Sequence, residues 1–478
     1  MRPEHSLIAI WLLPTSALGF VVPRNLPTLK STRLYEVKGT NSEKFDTLLA
    51  EAKLDEAVGY LRSNPGMEIT RKQWNSVFDA IETRTSEAEE NSLNLRKEQE
   101  QEIPLISKTR SEMTDMYTTL KDQGHLKLFG AIDKDNLPVG GSHTVRPSML
   151  EEITQMTMKA LTPTPSNLLL YAGVGVAFLE GVASVTLGLN LNFLFTMTLL
   201  LALADRILLN GAISESFVKI LSPETQTKIT KHEAGHFLCA YLLGCPVEGY
   251  VLSAWGALND SRFGARGVNA GTSFYDPILS SQISSNKVGR SSIDRYSIIV
   301  MAGIAAEAVE YGRADGGAGD EMALITFLSQ LNGGKAGSTG TLAWNDITIR
   351  NQARWGATQA VMLLREYKVC YDALVDALER GGTLGDCIYA IEKAGRDNNI
   401  APLQKPKGYI MELPGGLEEK WVLGDIPIKE EDTVASPPSI QKDTPPMDPE
   451  ESIQMLREFK KQMEAKLEDI DKKLGNLR

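Results

Sequence analysis

The sequence predicts a mainly helical fold of the α+β class. A helical region and a transmembrane hairpin come before it, and a disordered linker and a coiled coil follow. Three observations lead there. Apolar residues recur at helical spacing over residues 42–117 and again over most of 224–394. Two adjacent apolar runs, 168–189 and 191–209, each approach the roughly 20 residues needed to cross a bilayer. Between two proline- or glycine-marked ends lies 230–243, TKHEAGHFLCAYLL, a helix pattern carrying two histidines four residues apart.

Residues 7–19 (LIAIWLLPTSALG) form a short apolar run after Arg2 that ends in small residues, as a signal-peptide core does. Arg24, Lys30 and Arg33 follow, with no acid until Glu36. With Phe20 just after the Ala17-Leu18-Gly19 junction, this stretch resembles the bipartite presequence of algae with secondary plastids. Residues 1–35 are therefore read as a signal plus transit-type presequence, and the expected location is a plastid membrane, thylakoid or inner envelope. An ordinary secretory signal is the alternative.

Residues 36–160 read as a helical soluble region. Phe45, Leu48, Leu49, Leu54, Val58 and Leu61 keep helical spacing up to a stop at Asn64-Pro65-Gly66. Trp74, Val77, Phe78 and Ile81 mark a second helix, and 93–105 a third, more polar one. The region reads as a docking module or as a solvated spacer ahead of a membrane anchor. His143 falls in a glycine- and proline-marked loop and is expected in solvent. Residues 166–210 read as a hairpin turning at Asn190, with one span and one interfacial or buried helix as the alternative. Glu180, costly in lipid, must then face protein or find a partner. Lys159, Arg206, Lys219, Lys228 and Lys231 place both soluble parts on the positive, stromal-type side.

Residues 214–400 hold the chemistry. Ser222-Pro223 reads as N-cap and first helical residue, and Gly244-Cys245-Pro246 as a stop. His232-Glu233-Ala234-Gly235-His236 is H-E-x-x-H. On a helix the two imidazoles share one face and reach one Zn²⁺, with Glu233 beside it as general base. A catalytic zinc has three protein ligands. The chain has five histidines, and the other three, His5, His125 and His143, all precede the apolar runs. The third ligand is therefore expected to be a carboxylate. After a buried-helix pattern at 293–311, a glycine-rich turn opens another helix near Asp320; spacing leaves Asp320, Asp315 and Glu321 open.

HEAGH, then a short β-rich stretch, then Ala302-Gly303-Ile304-Ala305-Ala306-Glu307, then Gly317-Ala318-Gly319-Asp320, resembles the peptidase domain of FtsH-type zinc metalloproteases. Ile304 stands where that family has arginine, and one residue fewer separates Ala318 from Asp320 than in its commonest pattern. The resemblance covers roughly 224–394, including closing helices around 371–392. It implies a mainly helical zinc peptidase domain, with His232, His236 and Asp320 on zinc, Glu233 catalytic, and strands beside the metal that pair with an extended polypeptide substrate. Residues 247–253 and 267–275 read as those strands, joined by a loop with Trp255 and Arg262.

The family's AAA ATPase module is missing. The nearest thing to a phosphate-binding loop, Gly333-Gly334-Lys335-Ala336, has alanine where Ser or Thr is required, so no ATP site is expected. The chain thus resembles the stand-alone FtsH-like proteins of plants and algae with plastids. A net charge of −11 argues against nucleic acid as a partner. Cys239, Cys245, Cys370 and Cys387 show no C-x-x-C spacing and read as buried thiols. Residues 347–380 read as one or two amphipathic helices. Residues 401–447, rich in proline and acids, read as a disordered linker. Leu456, Met463, Leu467, Ile470, Leu474 and Leu477 give 448–478 about three heptads of a coiled coil, for a second copy or an FtsH-type ATPase. The expected function is ATP-independent cleavage of unfolded or membrane-associated proteins. A catalytically silent scaffold of a plastid membrane complex and an intramembrane protease of the site-2 type are the alternatives.

Overall fold

The computed structural model describes residues 41–400, apart from 98–103, 141–142, 165–167, 210, 265–267, 286–287 and 332–344. The presequence, the proline-rich linker, the coiled coil and the loop at 333–340 lie outside the described residues.

The chain begins with α1 (Asn41–Ala50), α2 (Leu54–Ser63), α3 (Arg71–Lys97), α4 (Pro104–Asp122) and α5 (Pro147–Thr154). The periodicity that read as one helix up to residue 63 is broken at Ala52, whose φ of 51° is left-handed. The two helices expected near residues 74 and 93 are largely one, α3, whose buried Trp74, Val77, Phe78, Ile81 and Ala88 hold a single stripe. Next come α6 (Leu168–Leu187), α7 (Leu191–Leu208) and α8 (Ala212–Leu221), the last not expected as a separate helix. α7 is long and apolar enough to cross a membrane; the apolar stretch of α6, Tyr171–Leu187, is shorter. Tyr171, Phe178, Leu199 and Leu201 on this pair are exposed. Glu180 does find a partner: Thr198 donates to it across the pair.

The rest comprises α9 (Glu224–Leu242), β1 (Val247–Val251), α10 (Ala254–Leu258), α11 (Ser261–Gly264), β2 (Gly271–Phe274), α12 (Pro277–Ser284), α13 (Arg290–Tyr311), α14 (Ala318–Leu331), α15 (Asp346–Glu366), α16 (Lys368–Glu379) and α17 (Leu384–Asp397). β1 and β2 pair antiparallel, Val251 opposite Gly271 and Tyr250 opposite Thr272, with a bulge between Val247 and Gly249. Both strands are shorter than expected, and the segment carrying Trp255 and Arg262 forms two short helices rather than a loop. Glu248, at the bulge, is buried and accepts from Arg110 (2.6 Å) and Ser273 (2.7 Å).

α13 is the centre. Glycines let its neighbours approach to backbone contact. A Cβ on Gly235 of α9 would sit 2.5 Å from the Ala302 carbonyl oxygen, and one on Gly356 of α15 would sit 2.7 Å from that of Ser297. The three helices α9, α13 and α15 thus interlock at a distance that no larger residue allows.

The N-terminal helices join this core. One hydrophobic cluster runs from Phe45, Leu61 and Phe78 through Tyr117, Phe129 and Tyr241 to Ile298, Leu363 and Ile391. Polar bonds cross the same boundary. The Trp74 indole donates to the Gly385 carbonyl (2.8 Å), and the Tyr117 hydroxyl to that of Val247 (2.9 Å). Buried Glu392 accepts from the Lys127 and Leu128 amides and from the Tyr241 hydroxyl. The region read as a docking module or a solvated spacer thus packs into the shared core. His143 is half-buried rather than in solvent, 3.0 Å from Asp294 and with its ring tilted against that of Trp355. All four cysteines are free and buried.

Candidate metal centre

α9 starts at Glu224 with Pro223 as its cap, one residue later than the sequence suggested, and it stops before Gly244, whose φ is 76°. Nearly every residue from 232 to 242 is buried, so His232, Glu233 and His236 lie inside the core face of the helix. The Tyr371 hydroxyl of α16 pins this turn by donating to the Lys231 carbonyl (2.9 Å). The motif helix is distinct from the exposed apolar pair α6 and α7.

Partners assign the two imidazoles. His236 Nδ1 lies 2.7 Å from the Ile299 carbonyl oxygen. A carbonyl can only accept, so Nδ1 carries the hydrogen and Nε2 keeps its lone pair. His232 Nδ1 lies 2.7 Å from Glu307 Oε1. The other Glu307 oxygen accepts from the amides of Asp315 (2.7 Å) and Gly316 (2.9 Å). Burial works against the Glu307 charge, but these hydrogen bonds, led by that from His232, outweigh it and hold the carboxyl below its ordinary range. Glu307 is thus an acceptor, and His232 also turns Nε2 inward.

The two Nε2 atoms are 3.1 Å apart, and Asp320 Oδ2 is 3.0 Å from that of His232 and 3.5 Å from that of His236. Three lone pairs therefore converge with no hydrogen of their own to share. Ligands about 2.0–2.1 Å from a tetrahedral zinc stand about 3.3 Å from one another, so the donor set and its spacing fit zinc. Outer partners of this kind, a carboxylate and a carbonyl on the far nitrogens, are what orient metal-binding histidines. Without a metal, a proton must fill the gap. Burial disfavours the His232 charge, but hydrogen bonds to Asp320 and Glu307 prevail and push it up to about 10. Burial likewise opposes the Asp320 charge, yet His236 and His232 hold that carboxyl far below the usual carboxylate range.

Of the three candidate carboxylates, Asp320 alone joins the histidines: among the described residues they form the one group placed to hold a metal ion. Asp315 is held by Lys228 (2.5 Å) and Arg313 (3.1 Å). Glu233, beside the cluster, is buried, and burial raises its carboxyl against the opposing charges of His236 and His232. Thr272 of β2 donates to Glu233 Oε2 (3.0 Å), so the strand fixes the orientation of that acid.

Three contributors carried no role in the sequence reading. Glu307 is an acid inside a buried helix, which is itself a signal that it has a partner. Gly303 lies directly under the imidazoles, and a Cβ there would run into Nε2 of both. Thr272 gave no signal. No family model matches the chain, and neither the curated proteins nor the solved structures include a match.

Proposed function

We propose that the chain is a membrane-anchored zinc metallopeptidase of the FtsH type that lacks an ATPase of its own and cleaves unfolded or membrane-associated polypeptides. One observation carries this reading: the convergence of His232 Nε2, His236 Nε2 and Asp320 Oδ2, with a buried carboxyl at their side. His232, His236 and Asp320 would hold zinc, and zinc there supplies Lewis acidity toward a peptide carbonyl and makes water nucleophilic near neutral pH.

Glu233 acts as the base. Its raised proton affinity suits it to take a proton from the attacking water and to pass it to the leaving amine. The water oxygen bonds to the carbonyl carbon, the C–N bond breaks, and the proton ends on nitrogen. Thr272 keeps one Glu233 oxygen engaged, leaving the other for the water. β2 belongs to a sheet of two strands, and an extended peptide can add to such an edge through main-chain bonds, which tolerate many sequences. With no nucleotide loop in the sequence, such an enzyme takes chains that are already unfolded or extracted, or works with an unfoldase partner. The plastid-membrane location rests on the presequence pattern, and self-association or an ATPase partner on the C-terminal heptads.

The test is cleavage of unfolded casein by the full chain loaded with zinc. Glu233→Gln is expected to lower the rate about 10²–10⁴-fold, the usual worth of a general base, while zinc content stays unchanged. Equal cleavage by both proteins contradicts the assignment, and zinc binding without cleavage by the natural chain favours the silent scaffold.

A further inference from the structure

α8 follows α7 after a short turn and has two unlike faces. Glu215 and Lys219 form an ion pair on one; Glu215 accepts from the Ala254 amide (3.0 Å), and Lys219 donates to the Leu252 carbonyl (3.3 Å). These bonds tie α8 to the corner between β1 and α10. The other face presents Ile213, Phe217, Ile220 and Leu221, all exposed, with Phe217 at 63% and Ile220 at 76%. At 100° per residue the four fall within about a third of the helix circumference. Trp255 of α10 is exposed beside them, with its indole N–H directed to Ser216 Oγ (3.1 Å).

The joint between α7 and α8 is built, not slack. Asp205, buried near the end of α7, accepts from the Ile213 amide (3.0 Å), the Ser214 amide (3.0 Å) and the Ser214 hydroxyl (2.6 Å). It therefore caps α8 from within the preceding helix. Gly211 makes the turn at φ 79°, a conformation that favours glycine.

We infer that α8 and Trp255 form a lipid-facing platform, lying in the headgroup–acyl boundary of the bilayer that α7 enters. The occupant follows from continuity. The apolar face of α8 extends the exposed apolar surface of α7 without a break in the chain, while its polar face is already occupied by protein. Helices with one apolar face bearing Phe, Leu and Trp lie in that interface plane, and an indole with its N–H satisfied suits the same zone. The platform also places the metal centre. Gln226 of α9 donates to the same Leu252 carbonyl (3.3 Å) that holds Lys219. His232 is six residues further along α9, about 9 Å. The cleavage site is thus held close to the bilayer surface, which suits polypeptide segments leaving it. The inference rests on the membrane-anchored reading.

The experiment uses the full chain in phospholipid vesicles, with single cysteines introduced at exposed positions and labelled with an environment-sensitive fluorophore. The four natural cysteines are buried. Phe217→Cys and Ile220→Cys report on the platform, Leu200→Cys on the anchor, and Glu56→Cys on water. Labels at 217 and 220 are expected to be quenched by lipids with a nitroxide near the headgroup and several-fold less by iodide than the label at 56. The label at 200 is expected to be quenched by deeper nitroxides. Lipid quenching at 200 with free iodide access at 217 and 220 overturns the platform and leaves the anchor standing. Labels at 217 and 220 shielded from both quenchers mean a protein partner and also overturn it. No lipid quenching at 200 removes the anchor and the platform together.

Discussion

Glu307 touches no reacting atom in the proposed chemistry, yet it fixes which nitrogen His232 presents. Glu307→Gln should therefore keep the fold and lower zinc affinity by about 10–100-fold, as outer-partner changes typically do. Competition against a chelator at fixed pH measures this, and an unchanged affinity would show that His232 is held by something else. The same cluster sets a pH dependence. In the metal-free chain His232 is raised to about 10, so its contribution to stability is complete below its ordinary value near 6.5 and is lost as pH rises through about 10. Asp320 and Glu307 are lowered, so theirs is present above their ordinary values near 4 and is lost as pH falls below them. Zinc displaces the His232 proton, so zinc affinity should rise with pH over the range in which the metal-free chain weakens. Thermal unfolding from pH 7 to 10 should show the metal-free chain losing stability and the zinc-loaded chain holding it. Parallel curves for the two forms would contradict the shared site. At this scale the sequence makes His232, Glu233 and His236 legible through one helical repeat. It leaves Asp320 one of three because Lys228, which takes up Asp315, lies 87 positions away in the chain.

At the scale of elements, the site depends on how closely α9 and α13 approach. Gly235→Ala puts a methyl against the Ala302 backbone and against the Ala306 side chain. Overpacking of this kind costs about 1–3 kcal/mol, and denaturant unfolding should register it; a variant as stable as the natural chain would mean that the two helices separate at little cost. Gly303→Ala should be worse for metal than for fold, since its Cβ meets the ligand nitrogens themselves. Helix existence was readable from apolar spacing where a helix buries one stripe, as α2 and α3 do, but not for α5, α8 and α12. Boundaries were less readable. The break at Ala52 sits in a sequence with no glycine or proline to mark it, and α3 continues through a polar stretch because Thr85, Ala88 and Ser92 are still buried. α8 escaped notice because its apolar face merges with the run before it, and because its cap, Asp205, comes from the previous helix.

For the whole molecule, the sequence suggested a peptidase region separable from the helices before the membrane segments. The shared core says otherwise. Arg110 of α4 pairs with Glu248 at the β1 bulge, and Tyr117, Lys127 and Leu128 bond into β1 and α17. Composition could not reveal this, since a buried stripe looks the same whether it faces its own neighbours or a distant helix. A chain beginning at Ser214 would uncover Tyr241, which packs on Phe129, and the α17 surface, and would take the Lys127 and Leu128 amides from Glu392 and the Arg110 guanidinium from Glu248. It is expected to be insoluble or molten, seen as lost near-ultraviolet dichroism and rapid proteolysis. A sharp unfolding transition like that of the full chain would contradict the single core.

Two imidazoles and one carboxylate form the proposed metal cradle, and zinc-edge X-ray absorption on the full chain loaded with zinc reads its ligands. One zinc per chain is expected, with two histidine nitrogens, oxygen in the remaining positions and no sulfur, and with loss of stoichiometric zinc in Asp320→Ala. Sulfur in the coordination shell, or a spectrum unchanged by Asp320→Ala, would place the metal elsewhere; a chain that takes up no zinc would contradict the cradle itself.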